Sequence, residues 1–491
     1  MEVGLTLSVG YSRSSVESLR GRIVIGVLAL IIGLVVGGEL ARQVASGLPL
    51  VALISVTVPA YILATRNSRI LLPYVITVWV LNPELRRIVD WILGAYQPVT
   101  VISLSPLLCT LAMAIPVISN KNQWSLSPRL TRAIKVLGVV LLYGLLLGII
   151  HNKTAGMYAG ANYIDPFILL LYLIRFRPMP ETFDRWLRWI SVLAVVVSIY
   201  GWIQYLVAPP WDTLWMIGSG MRSIGLPEPH KIRIFSTLNS PGPLGIFLTA
   251  ALVPMVVRGK WRAFGIPGVL VVASCLALTL VRSSWGEVVV GVIVYLISTT
   301  GKSRVRSLLV VGLAFLIGAV VLPHLPGAHA ILTRGQTVGN LGQDTSLQAR
   351  LQLIRTATPA ILHNPIGVGM GGIGISTILN GGNAFAGLGS IDNGYLGIFA
   401  TFGLPFGILM LYSLFLFGRE VFIQTDGEMR IYVAMSRAGI ASFLAALFFG
   451  GALQSLQAIL LWIIILPGIL MSDSNFSTES HEKTAGHLGG M

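Results

Sequence analysis

The sequence predicts an all-α polytopic membrane protein, with about 12–14 transmembrane helices and a large, partly helical outer loop. Three observations carry that prediction. Only 11% of the 491 residues are charged and 54% are hydrophobic, whereas soluble domains carry about 25% charged residues. Apolar runs recur along the chain at lengths near the ~20 residues that a spanning helix needs. Basic residues collect on alternate loops, as the positive-inside rule demands. So few charges cannot cover a soluble fold of this size, and a chain this apolar is not disordered. Lipid offers backbone groups no outside partners, which makes the spans helical.

In chain order, the apolar runs place spans at roughly 22–38, 48–65, 69–81, 98–117, 134–151, 161–174 and 189–207. They continue at 242–257, 263–281, 284–299, 307–323, 393–417, 438–452 and 456–471, and the short third run could be re-entrant. Arg13, Arg20 and Arg22 precede the first run, but no small-residue cleavage site follows it, so it reads as a retained helix. The expected organisation has five parts. A cytoplasmic segment, 1–21, leads into a transmembrane region, 22–323, which contains an outer loop at about 208–241. A large outer loop follows at 324–391, then C-terminal spans at 393–471 and a polar cytoplasmic tail at 472–491.

Net charge is +15, from 34 Lys and Arg against 19 Asp and Glu. In a soluble domain that would suggest nucleic acid. Here 23 of the 34 fall on segments that alternate to one side, which sets both termini in the cytoplasm and argues against a nucleic-acid partner. The other side holds eleven, nine of them arginine: Arg42, Arg86, Arg87, Arg222, Arg233, Arg282, Arg334, Arg350 and Arg355. Headgroup anchoring suffices for Arg42, Arg86 and Arg87. It explains Arg233, Arg282 and Arg350 less well, because they sit at helix ends or in long loops around one face.

Segment 346–362 in the large loop has Leu347, Leu351 and Ile354 at helical spacing, as in an amphipathic helix at the outer interface. The glycine-rich stretch Gly367 to Gly374 has the look of a phosphate cradle. No strand precedes it, so a tight re-entrant turn is the better reading.

Acidic residues near this face include Asp165, Asp212, Glu228, Glu287, Asp344 and Asp392. Glu287 either pairs with Arg282 or orients it toward a cavity. Asp392 either caps the helix that follows or serves as a general base, and the two roles are compatible. Cys109 and Cys275 lie in apolar runs and make no disulfide framework. His324 and His329 are five apart, which is the wrong spacing for one helix face. No metal or cofactor is expected.

Four pieces, in order, resemble the O-antigen ligase and Wzy-type polymerase superfamily. They are Ile232-Arg233-Ile-Phe235 through Asn239-Ser-Pro241-Gly242; Thr279-Leu-Val-Arg282-Ser283-Ser284-Trp285; Arg350 with Asn364-Pro365-Ile-Gly367-Val-Gly369; and Asp392-Asn393-Gly-Tyr395-Leu with Gly403-Leu-Pro405. The resemblance covers about residues 230–410. One departure stands out: this chain has Asp392 where the family's ligases carry histidine, which favours a polymerase branch.

The resemblance implies a GT-C-like membrane glycosyltransferase. Its donor would be a glycan on a polyprenyl diphosphate in the outer leaflet, with a glycan acceptor and with export or chain-length proteins as further partners. Arg282 and Arg350 would hold the leaving diphosphate and Asp392 would activate the acceptor hydroxyl. Arg233, Asn239, Asn393, Tyr395, Glu287 and Arg222 would bind substrate. A ligase using a different acceptor, and a non-catalytic transporter of lipid-linked glycans, are the competing readings.

Overall fold

The computed structural model describes residues 47–119, 126–321, 327–328, 331–332, 345–387, 392–423, 430–451 and 453–470. The predicted span 22–38, Arg42, Arg334, Asp344, His324, His329 and both terminal segments lie outside them, as do the side chains of Arg222 and Leu347.

The described residues form an all-α bundle, with one isolated antiparallel bridge, Gly225 to Ile232. The helices are α1 Leu48–Thr65, α2 Leu71–Ile92, α3 Ser105–Leu111, α4 Ala114–Ser119, α5 Pro128–Phe176, α6 Pro180–Val207 and α7 Pro210–Ser219. They continue with α8 Pro241–Val257, α9 Gly265–Leu278, α10 Arg282–Ser298, α11 Gly301–Val321, α12 Thr345–His363, α13 Gly394–Ile423, α14 Arg430–Leu447 and α15 Ser455–Leu470. A proline opens six of them: Pro49, Pro106, Pro128, Pro180, Pro210 and Pro241. Its fixed φ suits the first turn and its missing N–H costs nothing there. Among the described residues, six helical stretches are long and apolar enough to cross a membrane, and α8, α9 and α15 are shorter apolar helices. This is an integral membrane protein.

Two predicted spans, 134–151 and 161–174, are the arms of α5. The chain leaves helical geometry at Lys153 (φ 47°, ψ −120°). A Cβ added at Gly156 would lie 2.2 Å from the carbonyl oxygen of Gly148, and one at Gly138 would touch Phe167. The arms therefore fold back on each other as a hairpin, which glycines at the tip permit. The third run is longer than expected: α2 continues through Glu84, Arg87 and Asp90 to Ile92. Those charges interrupt the apolar pattern, yet all three are buried.

The glycine-rich stretch spends its central amides on protein carbonyls. It threads between the α5 hairpin tip and a kink in α13 at Gly403 (φ 71°). The amides of Val368, Gly369 and Met370 donate to the carbonyls of Ala400 (3.0 Å), Thr401 (2.9 Å) and Gly144 (3.0 Å). Asn152 donates to the carbonyls of Val368 (2.9 Å) and Met370 (3.0 Å). Irregular backbone inside a helical bundle persists only when partnered in this way. Gly369 (φ +74°) and Gly371 (φ +88°) have no room for a side chain: a Cβ would fall 2.4 Å from Gly148 N and from Ala155 C.

Candidate active site

The glycine segment fixes α12 against α13, through Ala357, Ile361 and Ala400 with Phe399 and Leu404 around them. On α12, Leu351 and Ile354, the apolar stripe read in the sequence, face outward, while Ala357 and Ile361 form a packed stripe against α13. Arg350 lies seven residues before Ala357 and so shares the packed stripe. Its guanidinium stacks over the Phe449 ring at 5.0 Å, just beyond the end of α14.

The start of α13 meets the same place. Gly394 packs against the carbonyls of Gly450 and Leu447, where a Cβ would fall 2.5 Å from the former. The Tyr395 hydroxyl donates to the Leu444 carbonyl (3.2 Å), and its ring lies 4.9 Å from that of Phe448. Tyr395 thus anchors the helix start to α14. Asn393 is the cap: its side-chain oxygen accepts the Leu396 amide at 3.1 Å and its carbonyl accepts Gly397. This corrects one expectation: the capping role weighed for Asp392 belongs to Asn393. Asp392 is exposed, one residue outside the cap.

α10 brings Arg282 to the same end. The helix runs along α14, with Ser442 Oγ donating to the Glu287 carbonyl at 2.9 Å. Five residues further along each helix, about 7 Å, stand Arg282 on α10 and Leu447 on α14. Arg282 on α10, Arg350 on α12 and Asp392 just ahead of α13 therefore border one end of α14.

The junction before Arg282 is built by its own motif. Leu280 adopts φ +55°, and the Thr279 and Leu280 carbonyls both accept from Arg233. The Thr279 hydroxyl donates to the Leu276 carbonyl (2.6 Å) and accepts the Val281 amide (3.2 Å). Trp285 Nε1 reaches back to Leu276 (3.1 Å). Arg233 closes the turn, donating from Nε and Nη2 to Thr279 (3.3 and 3.2 Å) and from Nη1 to Ser223 (2.9 Å). The sequence reading gave Arg233 to substrate. The fold uses it first to hold the Arg282 junction. Asn239 is exposed, just ahead of α8.

Glu287 does not pair with Arg282 as one reading had it. It is buried, forms no ion pair among the described residues, and lines a cavity of about 50 Å³ with Thr249, Ser442 and Gln457. Five residues put it on a different side of α10 from Arg282.

The sequence reading missed the group that holds the Arg233 loop. Arg87 is fully buried rather than a headgroup anchor. It pairs with Glu84 and, at 2.8 Å, with Asp212, and it donates to the carbonyls of Leu238 (2.7 Å) and Ser236. The Tyr200 hydroxyl lies 2.5 Å from Glu84 Oε1 and 2.8 Å from Asp212 Oδ2. Gln204 donates to Asp212 (2.8 Å) and accepts the amides of Phe235 (3.0 Å) and Ser236 (2.8 Å). Burial pushes the Asp212 carboxyl above its usual range, and Arg87 opposes the shift. Arg86 is likewise tied down, to Asp90 (3.8 Å) and the carbonyl of Pro98 (3.4 Å).

Comparison with curated proteins gave no match. A family comparison did. Residues 267–411 match the family model described as O-antigen ligase, a span that runs from α9 past the α13 kink and includes Arg282, Arg350 and Asp392. That match supports ligase- or polymerase-type glycosyl transfer in general, with lipid-linked glycan and acceptor substrates at a membrane. Residues 267–411 are thus similar to the O-antigen ligase family, over the stretch that carries three of the four pieces singled out in the sequence.

Proposed function

We propose that the protein is a polysaccharide polymerase. It joins glycan repeat units carried on undecaprenyl diphosphate, at the outer face of the bacterial cytoplasmic membrane, with both termini in the cytoplasm. The product is an exopolysaccharide or O-antigen. One observation carries the reading: two arginines and an exposed carboxylate border the same end of α14. Arg282 and Arg350 neutralise the diphosphate as the anomeric carbon–oxygen bond breaks. Their forked donors suit phosphate oxygens and stay charged at any working pH. Asp392 takes the proton of the acceptor hydroxyl as its oxygen bonds to the anomeric carbon, which inverts that centre. Asn393 and Tyr395 keep Asp392 in place, and Arg233 keeps Arg282 in place. The arginines do the neutralising that a metal would otherwise do, so the reaction is metal-independent.

A ligase that moves a finished chain to lipid A core or a protein has one specific point in its favour, the description of the matched family. Product size separates the two. Purified protein, lipid-linked glycan and a chelator are incubated and the products resolved by length. A regular ladder supports the polymerase. Label moved intact onto a second lipid or protein means ligase, and no product until a divalent metal is restored would end the metal-independent mechanism.

A further inference from the structure

Far from Asp392, the start of α5 and the end of α13 carry a second basic cluster. The two helices run antiparallel there: Ser127 Oγ donates to Glu420 Oε1 at 2.8 Å, and Ser413 Oγ donates to the Ala133 carbonyl at 2.9 Å. Between them opens a cavity of about 420 Å³, lined by Arg129, Arg132, Arg419, Tyr412 and Phe415 among others. Arg129 is spent on Glu420, at 3.2 Å. Arg132 and Arg419 have no carboxylate partner among the described residues, and both are exposed.

Each of these arginines lies on an outward-facing, largely apolar stripe. On α13, Ile408, Tyr412, Phe415, Arg419 and Phe422 recur every three or four residues, and all are exposed. On α5, Val139, Leu142 and Leu146 do the same, and Arg132 lies two turns before Val139 with the exposed Lys135 between them. From Ile408 to Arg419 the helix rises about 16 Å, close to half of a ~30 Å hydrocarbon core. Two isolated headgroup anchors would need neither a cavity nor matched stripes of that length.

We propose that this cavity binds the phosphate of an anionic phospholipid, with the acyl chains lying in the groove between the two stripes. The recognising chemistry is a phosphate held by two guanidinium forks, joined to apolar chains one leaflet long. A free phosphate leaves the stripes uncovered, and a polyprenyl chain far outruns them. A zwitterionic lipid brings its own cation to the arginines and gains less. The site is independent of the glycosyl-transfer reading, being built from other residues.

The test uses the full-length protein in neutral detergent and native mass spectrometry. The probes are phosphatidylglycerol, phosphatidylcholine, a polyprenyl phosphate and inorganic phosphate. The expected result is one retained phosphatidylglycerol, with phosphatidylcholine held less well. The pair Arg132→Ala with Arg419→Ala should weaken retention roughly thirty-fold, from about a decade or less per surface arginine, while Arg132→Lys with Arg419→Lys keeps most of it. Equal retention by the alanine pair overturns the proposal, and so does preferential capture of polyprenyl phosphate. The lipid comparison on the unmodified chain needs no variant. If phosphatidylcholine is retained as well as phosphatidylglycerol, or inorganic phosphate displaces the lipid, the site is not the one proposed.

Discussion

Replacing Arg87 with methionine should destabilise the protein severely, and the structure says why. The side chain is fully buried, and its charge faces two carboxylates, Glu84 and Asp212. Methionine fills similar volume but strands both acids and leaves the Ser236 and Leu238 carbonyls without their donor. Removing one partner of a buried pair costs about 3–5 kcal/mol, because the other charge stays behind unpaired. The assay is thermal unfolding in detergent, followed by tryptophan fluorescence, since the Trp215 ring lies 5.7 Å from the guanidinium. Adding Glu84→Gln and Asp212→Asn should recover most of the loss, because the remaining groups are then neutral. A pH series adds a check of sign. Without Arg87, burial raises the folded-state pKa of Asp212 further above its unfolded value. Stability is then retained below the unfolded pKa and lost as pH rises through the folded one. The deficit of Arg87→Met should therefore shrink in acid. An unfolding midpoint equal to the wild type, or a triple variant less stable than Arg87→Met, would refute the reasoning.

Three further outcomes are expected. Gly369→Ala should cost about 2–5 kcal/mol, from a left-handed alanine plus overlap with Gly148. Gly381→Ala, with φ +66° and open space around it, should cost only about 1–2 kcal/mol; equal unfolding midpoints would contradict the threading of this segment. Asn393→Ala should lose about 1 kcal/mol of helix stability, with Asn393→Ser near wild type; an unchanged alanine variant would mean that Asn393 does not cap α13. Arg282→Ala and Arg350→Ala should each cut product formation by about 10²–10³ in rate while the protein stays folded; normal product from either variant removes that arginine from the mechanism.

Much of the fold was legible because lipid makes helix formation obligatory and sequence-local. The runs at 242–257 and 284–299 became α8 and α10 within a few residues. The break at Thr279 to Arg282 was also legible, as the gap between the runs 263–281 and 284–299, although Arg233, 46 positions away, closes its turn. What stayed hidden depends on distance. Arg87 bonds carbonyls 149 and 151 positions away, and nothing near it in sequence distinguishes that from a headgroup anchor. The cap at Asn393 and the one at Asp392 differ by a single residue, below the precision of any boundary read from sequence. The contact of Ala357 and Ile361 with α13 stayed hidden because Leu351 and Ile354, which face outward, carry the stronger apolar signal.

The central claim is that Asp392 removes the acceptor proton. It is tested most directly by the single-turnover rate of Asp392→Asn on lipid-linked glycan, with donor binding measured alongside. The account predicts a fall of about 10²–10⁴ in rate, with donor affinity near wild type because Arg282 and Arg350 are untouched. A wild-type rate, or a loss that lies wholly in donor binding, would contradict it.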